Sequence, residues 1–556
     1  MRRLSLALGL AVLAALPASA SATVTMTDFK VEPSSKQGGG HPSVTITQSF
    51  SYDNTTDSVK DAFVRLQPGL LGNPQSAALC TQGQFQADSC PSESTVGTVA
   101  IDALAYALPL VGVPSTSHGN VYNMKPTGDE PARLGIVVDA AMGLQKLFLQ
   151  APVYIRPGAD GYGLESTFAD QPRNAGVPVQ ITKIALTLNA KGSKGPFMRM
   201  PTSCAEGTSV SRANSWETTG SFSQKEFKMT PTGCGSLAFA PRAEGFLGAP
   251  GLTGVGAFPP IRTTLRFDPE AAALRSAEVI LPRTVAANLP GLGRACAREA
   301  AAASNCPESS RVGFATIDSP LQPAPVRGPV YLAYNTAAVT PGLMVLLPPP
   351  VGVRLDAEVL PIPAGTRNTF GSNPDLPVRS FTLAFDGGRP DAALRLAADL
   401  CAVGTDLTMR VKLIAHNGKQ SEFTQELATP GCDPRATIAI RRRGRTASLV
   451  ARLRAARNGP GITAFTLKLP RTLTRGKRRP VVIVGGARMR PISRRRSASM
   501  PFPREVRSAR IVWRGLRASR RLRRRALVRL TIQDARNHLT TLKPRVRVRR
   551  LAPRRG

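Results

Sequence analysis

The stretch Cys90-Pro-Ser-Glu-Ser-Thr-Val-Gly-Thr-Val-Ala-Ile-Asp102 returns later in the chain as Cys306-Pro-Glu-Ser-Ser-Arg-Val-Gly-Phe-Ala-Thr-Ile-Asp318. Both copies run into an alternation of β-branched and smaller residues, the period of two that marks a strand. Other matches keep the same order: Asn120-Val121-Tyr122 with Pro329-Val330-Tyr331, and Val177-Pro178-Val179 with Leu376-Pro377-Val378. Cys204-Ala205-Glu206-Gly207-Thr208 matches Cys401-Ala402-Val403-Gly404-Thr405, and Thr230-Pro231-Thr232-Gly233-Cys234 matches Thr429-Pro430-Gly431-Cys432. A period of about 200 residues is far too long for a solenoid and marks duplicated domains. They are expected at 23 to 234 and 235 to 433.

The eight cysteines fall into the same two sets, Cys80, Cys90, Cys204 and Cys234, then Cys296, Cys306, Cys401 and Cys432. Their internal spacings are 10, 114 and 30, then 10, 95 and 31. An even count without any C-x-x-C, in a chain with only four histidines, reads as disulfides rather than zinc ligands. Local geometry favours one pairing. Residues 207–213 and 222–230 read as two strands around a turn near Ser215 to Thr219, so a Cys204–Cys234 bridge closes a hairpin base. His416-Asn417-Gly418-Lys419 supplies the corresponding turn between Cys401 and Cys432, because Asn and Gly both tolerate positive φ. The expected bridges are therefore Cys80–Cys90, Cys204–Cys234, Cys296–Cys306 and Cys401–Cys432.

The remaining pattern is short strands separated by Pro and Gly clusters: Val24 to Phe29, Ser43 to Ser51, Ala62 to Leu66, Leu134 to Val138, Ile181 to Leu188, Ile261 to Phe267, Ala277 to Leu281, Leu343 to Leu347 and Phe381 to Phe385. Only Pro269 to Val279 and Ala295 to Ala303 have helical composition. The fold class is all-β: tandem disulfide-stapled β-sandwich-like modules followed by an Arg-rich β domain.

Composition changes abruptly after Asp433. The 556 residues carry 73 Lys plus Arg against 36 Asp plus Glu, a net charge of +37. Residues 434 to 556 hold 38 of the basic residues, 35 of them arginine, and only Glu505 and Asp534 are acidic. The first 433 residues are nearly neutral, at 35 basic to 34 acidic. Candidate anion-binding arginines are Arg441, Arg442, Arg443, Arg494, Arg495, Arg496, Arg520, Arg521, Arg523, Arg524, Arg525, Arg545, Arg547 and Arg549. Strand-like runs lie between these blocks (Ile462 to Leu469, Val481 to Val484, Ile511 to Trp513, Ala526 to Ile532, Val546 to Leu551). Arg545, Arg547 and Arg549 alternate with Val546 and Val548, so period two places the arginines on one outer face.

At the start of the chain, Arg2 and Arg3 precede an apolar run from Leu4 to Leu16, then Pro17 and the small-residue sites Ala18-Ser19-Ala20 and Ala20-Ser21-Ala22. This reads as a signal peptide over 1 to 22, cleaved after Ala22 or Ala20, and the run of 13 is too short to span a bilayer. No later segment is a membrane-span candidate, so a secreted or extracellular protein is expected, retained at the cell surface by charge.

No nucleophile elbow, zinc helix, phosphate loop or EF-hand is present. Leu281-Pro282-Arg283-Thr284 and Leu469-Pro470-Arg471-Thr472 resemble a sorting signal but lack its glycine. Asp53, Asp57 and Asp61, like Asp129-Glu130, read as solvated loop acids rather than a calcium site. No catalytic residue, metal or cofactor is expected. The L-x-P-G-L-x-G-N-P stretch at Leu66 to Pro74, the two Cys-Pro segments and the two closing Thr-Pro-x-Gly-Cys-like stretches together resemble exported tandem-repeat β-proteins of high-GC Gram-positive soil bacteria. The second copy departs from them at Leu281 to Asn288. The resemblance implies export and modularity and brings no activity. The expected function is a non-enzymatic structural or adhesive protein whose basic domain holds an anionic cell-wall polymer, acidic polysaccharide or anionic membrane surface. The alternatives are nucleic-acid binding, poorly supplied with aromatics (Phe465, Phe502, Trp513), and a secreted hydrolase on a β scaffold.

Overall fold

In the computed structural model, which describes residues 24–550 apart from 109–110, 141–144, 159–160, 175–176, 338, 458 and 523–524, alternation along each strand decides which face is buried. The expected leader and its cleavage sites lie outside the described residues. In the first repeat the long strands are β1 (Val24–Pro33), β2 (Val44–Tyr52), β3 (Val59–Arg65), β4 (Thr95–Leu108), β5 (Val111–Met124), β6 (Ala132–Ala140), β7 (Gln145–Gly158), β8 (Gly161–Phe168), β9 (Val179–Leu188), β10 (Gly207–Ser215) and β11 (Ser223–Met229). They form one antiparallel eleven-stranded sheet, ordered β1-β2-β9-β4-β5-β6-β7-β8-β3-β10-β11. Val44, Ile46 and Phe50 of β2 point into the core while Thr45, Thr47 and Ser49 point out. The sheet curls until its edges meet, where the Met26 amide donates to Ser223 Oγ at 2.9 Å.

The second repeat builds the same sheet: β12 (Arg242–Leu247), β13 (Ile261–Arg266), β14 (Leu274–Pro282), β15 (Arg311–Asp318), β16 (Val326–Ala333), β17 (Gly342–Leu346), β18 (Arg354–Ile362), β19 (Gly365–Phe370), β20 (Ser380–Phe385), β21 (Thr408–Ala415) and β22 (Gln420–Glu426). Its order, β12-β13-β20-β15-β16-β17-β18-β19-β14-β21-β22, matches the first strand for strand. The edges meet again, through Leu247 N to Ala428 O and Ala428 N to Gly245 O, both 2.8 Å.

The repeated Cys-Pro stretch acquires its physical reason here. Ser94 and Ser310 are fully buried and donate to the carbonyls of Pro91 and Pro307 at 2.6 and 2.7 Å. Gly97 and Gly313 sit beside register shifts, where an added Cβ would lie 2.2 Å from the Thr187 carbonyl oxygen and 2.0 Å from that of Ala384. Only glycine permits so close a crossing of β4 on β9 and of β15 on β20.

Four disulfides join Cys80–Cys90, Cys204–Cys234, Cys296–Cys306 and Cys401–Cys432. The short loops each hold one helix, Gln82–Gln86 and Arg298–Ala302. The longer ones close the β10–β11 and β21–β22 hairpins. In the second hairpin Gly418 alone takes the left-handed conformation (φ 84°), and the paired Ala415 and Lys419 leave a three-residue loop instead of a two-residue turn. Exchanging Cys401 and Cys432 for serine is expected to cost ~3–4 kcal/mol, and the smaller Cys80–Cys90 loop ~2–3 kcal/mol. Urea midpoints of the two double variants check this, and equal midpoints would contradict it.

The nine strand runs read from alternation all lie in these two sheets. The helical reading of Pro269 to Val279 does not hold, because a strand begins at Leu274. Ala271, Ala272 and Ala273 are buried instead as an irregular segment. Alanine there provides small size rather than helix propensity.

Each curled sheet holds a partly open apolar cavity, about 100 Å³ in the first repeat and about 120 Å³ in the second. The first is lined by residues including Ile46, Val64, Leu164 and Leu186, and the second by Ile261, Leu281, Phe370 and Phe381. These side chains come from corresponding strands, β2, β3, β8 and β9 against β13, β14, β19 and β20.

After Asp433 the chain forms a separate core around Trp513, Phe465 and Ile511. Its strands are β23 (Arg435–Arg443), β24 (Thr446–Arg454), β25 (Ile462–Lys468), β26 (Val481–Val484), β27 (Ala487–Met489), β28 (Ile492–Ser493), β29 (Ser497–Val506), β30 (Ser508–Ala518), β31 (Arg525–Leu527), β32 (Arg529–Asp534), β33 (Leu539–Leu542) and β34 (Arg545–Arg550). One sheet runs β27-β26-β30-β24-β23-β34-β31, with Leu473–Thr474 added on β30, and a five-stranded sheet runs β28-β29-β25-β32-β33. Among the described residues no helix is long and apolar enough to cross a membrane.

Candidate anion-binding face

The larger C-terminal sheet separates apolar from cationic residues by parity alone. In β34, Val546 and Val548 are buried and Arg545, Arg547 and Arg549 are exposed. In β30, Ala509, Ile511 and Trp513 enter the core while Arg510 and Arg514 face out. In β24, Leu449, Ala451 and Leu453 alternate with exposed Arg452 and Arg454.

Register then aligns these outward arginines across neighbouring strands. Arg441 stands opposite Arg549, Arg435 opposite Arg454, Arg452 opposite Arg510 and Arg525 opposite Arg547. Neighbouring strands are ~4.8 Å apart and same-face residues along a strand ~6.8 Å apart, so the guanidinium groups form a two-dimensional grid. Like charges placed directly opposite destabilise a sheet, by roughly 0.2–1 kcal/mol per pair. Among the described residues none of these eight arginines has a carboxylate within ion-pair distance. Asp534 is held by Arg536 at 3.4 Å, and Glu505 accepts from the Gly461 amide at 2.9 Å.

The five-stranded sheet carries a smaller cationic patch, with exposed Lys468 opposite exposed Arg529. The outer face of the five-stranded sheet is hydroxyl-rich, with Thr466 opposite Ser499 and Thr531 and Thr531 bonded to Thr541 at 3.1 Å.

The arginines expected to bind anions therefore fall into distinct groups. Arg441, Arg443, Arg525, Arg545, Arg547 and Arg549 lie on the exposed grid. Arg442 alternates to the other side of β23 and donates to the carbonyls of Gly444 and Leu522 at 2.8 and 3.0 Å, so it braces a turn. Arg494, Arg495 and Arg496 are the exposed tip of the β28–β29 hairpin, and Arg520 and Arg521 are exposed in the segment after β30. Arg523 and Arg524 lie outside the described residues. Sequence blocks drew attention to the triplets and missed Arg452 and Arg454, two apart, and Arg510 and Arg514, four apart, whose even spacing along their strands was the available signal.

Of the loop acids, Asp53 and Asp129 are exposed as expected, Asp61 is half-buried, and Asp57 and Glu130 are not solvated. Asp57 is fully buried, and its carboxylate accepts the Ser58 and Glu217 amides at 2.8 and 3.2 Å. Glu130 is buried too, accepting the amides of Thr127 and Gly128 and the Arg133 guanidinium. Burial opposes its charge, but these bonds outweigh that and hold its carboxyl below the usual range. Both acids organise loops. Among the described residues no group of His, Cys, Asp and Glu is arranged to hold a metal ion.

No protein-family model matches the chain, and no curated protein matches it. Among solved structures, dimeric latent PorU from Porphyromonas gingivalis is 10% identical with a TM-score of 0.14, over 96% of this chain and 34% of PorU. A DUF4785 family protein from Legionella pneumophila is 8% identical with a TM-score of 0.18, over 95% of this chain and 90% of that one. Escherichia coli alpha-2-macroglobulin activated by porcine elastase is 10% identical with a TM-score of 0.13, over 95% of this chain and 44% of that one. The chain spans about a third of the length of PorU.

Proposed function

We infer that the chain is a non-enzymatic secreted or cell-surface protein, in which the two disulfide-stapled repeats act as a structural or adhesive stalk and the arginine grid grips anionic envelope polymer. The observation carrying this reading is the set of like-charged cross-strand pairs, Arg441–Arg549, Arg435–Arg454, Arg452–Arg510 and Arg525–Arg547. Such pairs weaken the free sheet and are relieved when phosphate or carboxylate groups lie across them. The planar guanidinium fork pairs bidentately with either group. The burial of Phe465, Phe502 and Trp513 in the core weighs against single-stranded nucleic acid, because no aromatic of this domain is left outside for base stacking. Local disulfides suit an oxidising compartment.

The test is cosedimentation of the full chain with purified Gram-positive cell wall, duplex DNA and vesicles containing anionic lipid. Retention by wall or vesicles in excess of competing duplex DNA is expected. Preference for DNA over both would overturn the reading in favour of nucleic-acid binding.

A further inference from the structure

The exposed arginines of the larger C-terminal sheet are concentrated in pairs, and one arrangement of two pairs occurs twice. On β24, Arg452 and Arg454 stand two residues apart, the first opposite Arg510 of β30 and the second opposite Arg435 of β23. On β34, Arg547 and Arg549 stand two residues apart, the first opposite Arg525 of β31 and the second opposite Arg441 of β23. All of them are exposed. Beside the first set, Ala439, Val450 and Val512 lie opposite one another on β23, β24 and β30 as a row without charge.

Each pair sets two positive charges on strands ~4.8 Å apart. A carboxylate brings one negative charge and two oxygens, which a single guanidinium fork already saturates, so the second arginine of the pair keeps its charge. Two carboxylates would balance the pair only by crowding two negative charges as closely as the positive ones. A phosphomonoester carries about 1.5 to 2 negative charges on three terminal oxygens. It can accept from both forks and balance the pair alone.

We propose that each cross-strand arginine pair is a site for one phosphomonoester dianion, so that the polymer held by this face carries phosphoryl groups in preference to carboxylates. The inference narrows the anion-binding reading above and rests on it. On each central strand the two arginines are ~6.8 Å apart, so neighbouring units of one polymer chain can reach both pairs.

The probes are two dextrans matched in negative charge per unit length at pH 8, one bearing phosphomonoesters and the other about twice as many carboxymethyl groups. Both are titrated into the full chain at equal ionic strength, so that net charge and screening are the same. The phosphate dextran is expected to bind about tenfold or more tightly, the equivalent of one further charge-assisted contact. Replacing one arginine of every pair, Arg435→Gln, Arg441→Gln, Arg510→Gln and Arg525→Gln together, should bring the ratio of affinities close to one. Removing the same charge outside the pairs, Arg494→Gln, Arg495→Gln, Arg496→Gln and Arg520→Gln together, should preserve it. All these positions are exposed, and circular dichroism checks the fold of both variants. Equal affinity of the parent for the two dextrans, or the same ratio in both variants, would overturn the proposal while leaving anion binding in place. Failure of the parent to bind either dextran would overturn both.

Discussion

Arg441→Glu, Arg452→Glu, Arg454→Glu and Arg547→Glu together should lower affinity for anionic wall polymer by about a thousandfold, from the loss of ~1 kcal/mol at each of four charge-assisted contacts. The four positions come one from each like-charged cross-strand pair, with Arg549, Arg510, Arg435 and Arg525 left opposite. The domain itself should become more stable. Each substitution turns a repulsive pair into an attractive one, with a gain of roughly 0.2–1 kcal/mol per pair. A loss of binding through unfolding would lower the melting temperature, whereas loss through charge should raise it. Equilibrium binding and thermal unfolding of the same variant separate the two. Arg442→Glu is the contrasting exchange, because Arg442 braces Gly444 and Leu522, and its main effect should be on stability.

The largest effect on stability is expected at Trp513, which is fully buried in the sandwich beneath the grid. Trp513→Ala should cost ~3–5 kcal/mol, the usual range for removing a large aromatic from a core. Trp513→Phe is informative in a different way, because the indole Nε1 is buried without a hydrogen-bond partner. The exchange loses volume but also removes an unpaired donor worth ~1–3 kcal/mol, so its net cost should fall below ~2 kcal/mol. Denaturant titration followed by circular dichroism measures both. A Trp513→Phe loss above ~2 kcal/mol would show that the indole nitrogen is satisfied in solution.

Much of this architecture was legible in the residues because the repeat compares the chain with itself. Matching cysteine spacings sorted the cysteines into two sets, the hairpins between Cys204 and Cys234 and between Cys401 and Cys432 favoured the local pairing, and alternation in stretches such as Val44–Tyr52 identified inward faces. Strand order was not legible, since β3 pairs with β8 and β10 from distant parts of the chain. Such pairings are set by tertiary packing rather than by local pattern. The alanine run at 271–273 misled for the same reason, because its role is small volume in a cavity wall. On the basic face, parity separated Arg441 from Arg442, but the alignment of arginines on adjacent strands depends on register and appears only in the folded sheet.

The central claim is that a planar array of guanidinium groups holds an anionic polymer through many simultaneous contacts. The most direct measurement is the affinity of the full chain for purified wall polymer as a function of salt, compared with that of the fourfold glutamate variant. With about six or more contacts, the parent should lose on the order of a thousandfold in affinity between roughly 50 and 200 mM salt. The variant should show a much shallower slope. A parent slope near zero, or equal slopes for the two proteins, would contradict the account.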